Sequence, residues 1–224
     1  MIKLLIDTSG KEMGIGLFEN KKCLFEEYKI ADKAYNKKIM SLIDETLRQG
    51  KINVDDVDLF GATLGPGSFT GIRVGISVMK ALSRVLNKKF YGVSIPYIMA
   101  KSAGTSDEIV VLLDAGRKEF YFTRYNFNHK GKGVNYELFD KNKTINSIKK
   151  DDAIVFLQND VVVSDFVVNN FKKNKIVSLL HVDMRTFNDI IDTDDLKEQE
   201  VNYLFPIYIR RPDAEKKLGL EKHE

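Results

Sequence analysis

Eleven residues, Gly65-Pro66-Gly67-Ser68-Phe69-Thr70-Gly71-Ile72-Arg73-Val74-Gly75, constrain this chain more than any others. A largely apolar stretch from Val57 to Leu64 precedes them, and an amphipathic pattern from Ile76 to Leu86 follows. A strand therefore ends in a tight glycine turn and a helix starts at once. Such a junction aims backbone N–H groups outward at the positive end of a helix, where an anion can sit. It also strips side chains from the first turns of the helix, which lets another backbone come close. Two phosphate-binding patterns fail on it. A P-loop needs Lys and Ser/Thr after its second glycine, where Ile72 and Arg73 stand instead. A dinucleotide turn needs G-x-G-x-x-G, and here the third glycine arrives one residue late, behind Thr70. The spacing favours a structural turn, with glycine used for its freedom at positive φ.

Gly71, Gly75 and Met79 recur at four-residue spacing on the helix expected over 70–87, with Val78, Leu82 and Leu86 alongside. Ser77, Lys80 and Arg84 take the opposite side. Ile72, Val74, Ile76, Val78, Met79, Leu82, Val85 and Leu86 exceed what one buried stripe requires. A surplus apolar face suggests a protein partner, with the small residues letting a second helix approach. A helix buried on two sides within one domain fits the periodicity equally well. Another amphipathic helix is expected over 32–49, with Ile39, Leu42, Ile43 and Leu47 on one face.

Three short strands are expected at 2–8, 13–19 and 22–29, and another at 90–93. Gly104-Thr105-Ser106-Asp107 is the best boundary between an N-terminal lobe (1–104) and a smaller C-terminal lobe (105–212), with a charged tail over 213–224. Past that boundary the start of the chain recurs. Leu5-Ile6-Asp7 is matched by Leu112-Leu113-Asp114, and Lys11-Glu12 by Lys118-Glu119 at the same offset, which points to an internal duplication. Strand patterns at 119–127, 134–139, 153–157 and 175–180 alternate with helical ones at 160–171 and 184–192, the signature of α/β architecture.

With 43% hydrophobic and 30% charged residues, the 224-residue chain reads as globular, with enough apolar material for a core. A net charge of +3 neither requires nor excludes nucleic acid. Cys23 is the lone cysteine, which rules out an intrachain disulfide and suits a reducing cytoplasm. Met1 to Ile6 is too short for a signal segment before Asp7, and no apolar run reaches the roughly 20 residues of a membrane helix. His129, His181 and His223 share no metal-ligand spacing, and neither H-E-x-x-H nor C-x-x-C occurs. Without a nucleophile elbow or a zinc motif, a peptidase has nothing to work with. Asp7 and Asp114, at strand ends, are ordinary turn formers; as a pair they can also face a metal–phosphate cleft between duplicated lobes. The second use suggests a stand-alone ATPase or small-molecule kinase, although no glycine-rich phosphate hairpin follows Asp7.

The eleven-residue motif, taken with Ile6-Asp7-Thr8-Ser9, resembles the TsaB (YeaZ) family. So do Leu113-Asp114-Ala115-Gly116-Arg117-Lys118-Glu119-Phe120-Tyr121 and Pro206-Ile207-Tyr208-Ile209-Arg210-Arg211-Pro212-Asp213-Ala214-Glu215. The resemblance implies the actin-like, sugar-kinase-like fold (ASKHA, ribonuclease H-like), with two related α/β lobes, the second reduced. It implies a part in making N6-threonylcarbamoyladenosine at position 37 of tRNAs that read codons beginning with adenosine. In that family the protein is no catalyst: it scaffolds the metal- and nucleotide-binding TsaD subunit, and the ATPase TsaE joins the assembly. TsaC supplies threonylcarbamoyl-adenylate. No intrinsic cofactor is implied, a nucleotide at the partner interface is left open, and tRNA is met only through the complex. Homodimers form through the face that binds TsaD. Mapped onto this chain, the motif and interface comprise Gly65, Gly67, Gly71, Arg73, Gly75, Val78, Met79 and Leu82, with Tyr35 and Ile39 on the first helix. This sequence departs from the family there: Ala34-Tyr35-Asn36-Lys37-Lys38-Ile39-Met40 replaces a His-Ser-Glu-like segment, which argues against a metal at that place.

Overall fold

A computed structural model describes residues 1–30, 35–104, 108–127, 135–193 and 205–209, with the side chains of 35–38 outside the description. The chain runs through one series of elements and then repeats it. The first series is β1 (Ile2–Asp7), β2 (Glu12–Glu19), β3 (Lys22–Ile30), α1 (Tyr35–Gly50), β4 (Leu59–Thr63), α2 (Phe69–Val85), β5 (Lys89–Val93) and α3 (Ile95–Ser102). The second is β6 (Ile109–Asp114), β7 (Glu119–Tyr125), β8 (Tyr136–Asp140), α4 (Lys141–Ser147), β9 (Ala153–Leu157), α5 (Val161–Asn170), β10 (Lys175–Leu179) and α6 (Met184–Ile191). The two sheets share one topology, β3-β2-β1-β4-β5 and β8-β7-β6-β9-β10. In each, an antiparallel meander precedes two parallel crossovers. The duplication read from two short matches thus extends over every strand. Among the described residues the second lobe is reduced mainly in its outer helices, α4 and α5 with 7 and 10 residues against 16 and 17 in α1 and α2, and in its third strand, β8 with 5 against 9 in β3.

Among the described residues, three apolar cores hold the layers together. Leu4 and Ile6 of β1 point to one side, with Ile39, Leu42 and Ile43 of α1 and Ile72, Ile76 and Met79 of α2. Leu5 points to the other, into a core that joins both sheets through Ile95, Ile98 and Met99 of α3 and Met184, Phe187 and Ile190 of α6. Val163, Phe166 and Val167 of α5 cover the far face of the second sheet. Period-two alternation along β1 therefore serves two different cores, and the strand reads as nearly continuous apolar sequence. Lys3 breaks that run. Its side chain is 0% exposed and forms an ion pair of 2.6 Å with Asp192, just past the end of α6. The last helix of the second series is thus tied to the first strand of the first.

A 3-10 turn over Val54–Asp56 leads into β4. Helix α4 has no counterpart in the periodicity; a cap makes it, with Asp140 Oδ1 accepting from Lys143 N at 2.8 Å. The boundary at Thr105–Asp107, the tail over 213–224 and most of the motif after Ile209 lie outside the described residues.

Candidate functional site

The glycine junction closes onto the end of β1. Asp7 Oδ1 accepts from Ser9 N at 3.1 Å and from Thr63 Oγ1 of β4 at 2.6 Å, which folds Thr8 and Ser9 into a tight turn. Thr8 Oγ1 donates to Gly71 O at 2.7 Å, and Ser68 N donates to Ser9 O at 2.6 Å. Ser68 Oγ caps α2 by accepting from Gly71 N at 3.3 Å. A Cβ on Gly67 would stand 2.5 Å from Ser9 O; one on Gly71 would press into Thr8 O, and one on Gly75 into Thr8 Oγ1. Residues 67, 71 and 75 form one face, and the Thr8–Ser9 turn fills it.

This corrects the use expected for that face. The small residues of α2 admit a backbone of the same chain, one that sits more than sixty residues earlier in the sequence. Met79 continues the face into the core at 0% exposure, and Ile39 of α1 is buried in the same core. Two amides of the junction are paired within the chain, Ser68 N donating to Ser9 O and Gly71 N to Ser68 Oγ. Positive φ is needed only at Gly65 (+94°), before a cis bond to Pro66; Gly67, Gly71 and Gly75 are there for room.

The other predicted residues separate into two further faces of α2. Val78 and Leu82 are half-buried with Val74, and Val85 beside them is 83% exposed. Arg73 is exposed on a different side. Its guanidinium lies 3.7 Å from the Phe69 ring centroid, and its Nε donates to Tyr208 Oη at 2.6 Å. Tyr208 belongs to a short C-terminal segment that is anchored by Ile207 N donating to Leu64 O at 2.8 Å. Tyr35 opens α1, and its side chain lies outside the described residues.

The corresponding junction of the second lobe is built otherwise. Asp114, at the end of β6, accepts from Gly116 N at 2.7 Å, repeating the Asp7–Ser9 turn. Here a carboxylate makes the connection to the helix: Asp160 caps α5 by accepting from Val163 N at 3.2 Å and also accepts from Asp114 N at 2.9 Å. Between the two junctions lies a cleft of about 190 Å³, lined by Lys11, Pro66, Ser68, Ile95, Asp114 and Asp160 among others. Burial pushes the Asp160 carboxyl above its ordinary range, against the pull of its two backbone donors. Burial does the same to Asp7, which is 4% exposed, outweighing its bonds from Thr63 and Ser9. Asp160 is the contributor that sequence reasoning passed over, and the packing of Thr8 and Ser9 against α2 has no local signal. For Asp160 a signal was present, since an aspartate directly before Val161-Val162-Val163 is a helix-start signature. Among the described residues no group of three His, Cys, Asp or Glu side chains could hold a metal ion, and no helix is long and apolar enough to cross a membrane.

Two lobes of one duplicated α/β topology, each with an aspartate closing the end of its first strand beside a shared cleft, define the actin-like ATPase fold class. A family model described as tRNA N6-adenosine threonylcarbamoyltransferase (TsaD) matches residues 28–190, and the chain belongs to this family, in its TsaB/YeaZ branch. It is 30% identical over 127 residues to the tRNA threonylcarbamoyladenosine biosynthesis protein TsaB of Buchnera aphidicola, covering 55% of this chain and 60% of that protein. It is 35% identical over 123 residues to the tRNA N6-adenosine threonylcarbamoyltransferase of Kosmotoga olearia, covering 50% of this chain and 37% of that protein. The matches thus span about half of the chain and up to 60% of the TsaB relatives. In structure it is similar to YeaZ from Pseudomonas aeruginosa, with a TM-score of 0.72 at 17% identity over 92% of this chain and 99% of that one.

Proposed function

We propose that the chain acts in the synthesis of N6-threonylcarbamoyladenosine in tRNA as a non-catalytic scaffold that binds and stabilises a TsaD-type catalytic subunit. The observation that carries this reading is the state of the glycine junction. Thr8 and Ser9 fill the space left by Gly67, Gly71 and Gly75, so the glycines serve packing within the chain. The cleft of about 190 Å³ is also smaller than the roughly 300 Å³ at which small-molecule sites begin. What α2 offers outward is Val74, Val78, Leu82 and Val85, next to α1 with its exposed Met40. That apolar row meets the partner's helices, and alone it closes a homodimer. A TsaE-type ATPase joins the assembly, and the chain brings no cofactor of its own.

Two measurements test this. Val78→Glu and Leu82→Glu each put a charge into an apolar contact, at a cost of several kcal/mol, so co-purification with the TsaD subunit is lost. Retention in both variants refutes the interface. Deletion of the chain, followed by mass spectrometry of tRNA nucleosides, is expected to deplete threonylcarbamoyladenosine; an unchanged level refutes the pathway. The Asp114–Asp160 side of the cleft favours a second reading, a stand-alone ATPase or kinase. Micromolar binding of ATP with magnesium by calorimetry, with turnover by the purified chain, would select it.

A further inference from the structure

Two of the sequence motifs meet outside the proposed partner row. Arg73 comes from the glycine motif and Tyr208 from the C-terminal one, 135 residues on. Residues 205–209 lie along the start of α2. Ile207 N donates to Leu64 O at 2.8 Å, just before the glycine turn, and the Ile207 side chain packs against the outer core of the first lobe. Tyr208 Oη accepts from Arg73 Nε at 2.6 Å, and its ring lies 4.9 Å from that of Phe69, centroid to centroid. The Arg73 guanidinium rests on the Phe69 ring at 3.7 Å, so ring and hydroxyl hold it together. Phe205 lies farther along the helix, its ring 5.5 Å from Lys80 Nζ. The segment therefore runs antiparallel to α2 for about two turns.

The start of α2 needs such support. Glycine is the poorest helix former after proline, and two of the first seven residues of α2 are glycine. On one side the Thr8–Ser9 turn fills the space over Gly71 and Gly75. At 100° per residue, Arg73 stands roughly 160° around the helix from both glycines. The first turns of α2 are therefore held between two backbones of their own chain, one from each end of the sequence. Val74 and Val78 stand roughly 100° and 140° from Arg73, so the C-terminal segment leaves the partner row uncovered. It does not compete with a partner; it fixes the helix that presents the row. Its own attachment is light: a backbone hydrogen bond, a side-chain hydrogen bond and the half-buried Ile207, with Phe205 69% and Tyr208 43% exposed. Segments held so lightly open locally, without global unfolding.

We infer that residues 205–209 are a latch on α2, with Arg73 as the positioning residue that the latch engages. Closed, it holds the first turns of the helix in the shape that the partner row requires; open, it lets them fray. The link to a partner rests on the scaffold reading above, whereas the latch itself does not. Hydrogen exchange of the full chain, followed by mass spectrometry, reads the amides of 70–76 directly. I207D and Y208A lie outside α2 and leave its sequence intact. Each is expected to speed exchange over 70–76 on the order of tenfold, with β1, β4 and the melting temperature little changed, and to weaken binding of a TsaD subunit by a similar factor. Y208F keeps the ring and loses the hydroxyl, so it falls between the parent and Y208A. Unchanged exchange over 70–76 in both variants overturns the latch. So does faster exchange across the whole first lobe with a lower melting temperature, which marks a general loss of structure. Faster exchange over 70–76 with undiminished subunit binding overturns its role in presenting the row. A parent chain that binds no TsaD subunit refutes the scaffold reading instead, and the exchange result still decides the latch.

Discussion

The ends of β1 and β6 pose the same structural problem, and the two lobes solve it differently. In each, an aspartate closes a turn by accepting from the amide two residues on, and the turn must then be joined to the start of a helix. In the first lobe backbone meets backbone, through three glycine positions, and Asp7 is left 4% exposed. In the second a side chain, Asp160, reaches across to Asp114 N, and Asp114 stays exposed. Close backbone approach shuts a junction; a carboxylate bridge leaves one open. Both junctions border the cleft between the lobes, the first closed by backbone packing and the second bridged by a carboxylate. Counted from the caps Ser68 and Asp160, the counterparts of Gly71 and Gly75 are Val163 and Val167, both fully buried in the outer core of the second lobe. The duplicated helix kept ordinary core residues where no turn had to enter.

Exchanging those positions breaks the comparison most severely. Gly71→Val drives a branched side chain into the Thr8 carbonyl and is expected to cost about 3 kcal/mol or more in urea unfolding. Val163→Gly, with a cavity and a helical glycine, costs about 3 kcal/mol as well. Should Gly71→Val unfold like the parent, the tight junction is not what the glycine serves. Next in size is the bridge itself. Asp160→Ala loses the cap and the Asp114 bond, for about 1–2 kcal/mol, whereas Ser68→Ala loses one long bond of 3.3 Å and less than about 1 kcal/mol. Smaller again is Gly75→Ala, whose clash is with a side-chain hydroxyl rather than a carbonyl. A loss of about 1 kcal/mol is expected, and Thr8→Ala in the same chain should return most of it. Equal losses in the single and double variants would place the strain elsewhere.

Much of this was legible in the sequence. The repeated Leu-Ile-Asp and Leu-Leu-Asp ends and the alternation of strands and helices correspond to what is observed, whereas positive φ, expected of the motif's glycines, occurs at Gly65 alone. Periodicity also located the small-residue face of α2, but it cannot say whose backbone fills such a face. Thr8 is 63 residues from Gly71, and nothing local to either announces the other. The same holds for Lys3, a charge in a buried strand whose partner, Asp192, lies near the far end of the chain. Helix α4 was missed because KNKTINS has no apolar period and depends on its cap. Arg73 stands in the motif, but its pairing with Tyr208, 135 residues on, has no local signal either.

The smallest effect is a slope with pH, and it tests how completely the first junction is sealed. Burial raises the Asp7 carboxyl above its ordinary value of 3.8, so the folded chain holds that proton more tightly than the unfolded chain does. A carboxyl of this kind contributes stability below its unfolded value and loses it as pH rises through its folded value. The amide introduced by Asp7→Asn keeps an oxygen to accept from Thr63 Oγ1 and Ser9 N, and it cannot ionise. The unfolding free energy of Asp7→Asn, measured against the parent from pH 4 towards neutrality, is therefore expected to improve steadily. Asp160→Asn should show the same sign more weakly, because its junction is open and solvent screens the charge. Parallel curves for Asp7→Asn and parent would mean that water reaches the first aspartate after all. A steeper response at Asp160 than at Asp7 would reverse the contrast between the sealed and the open junction.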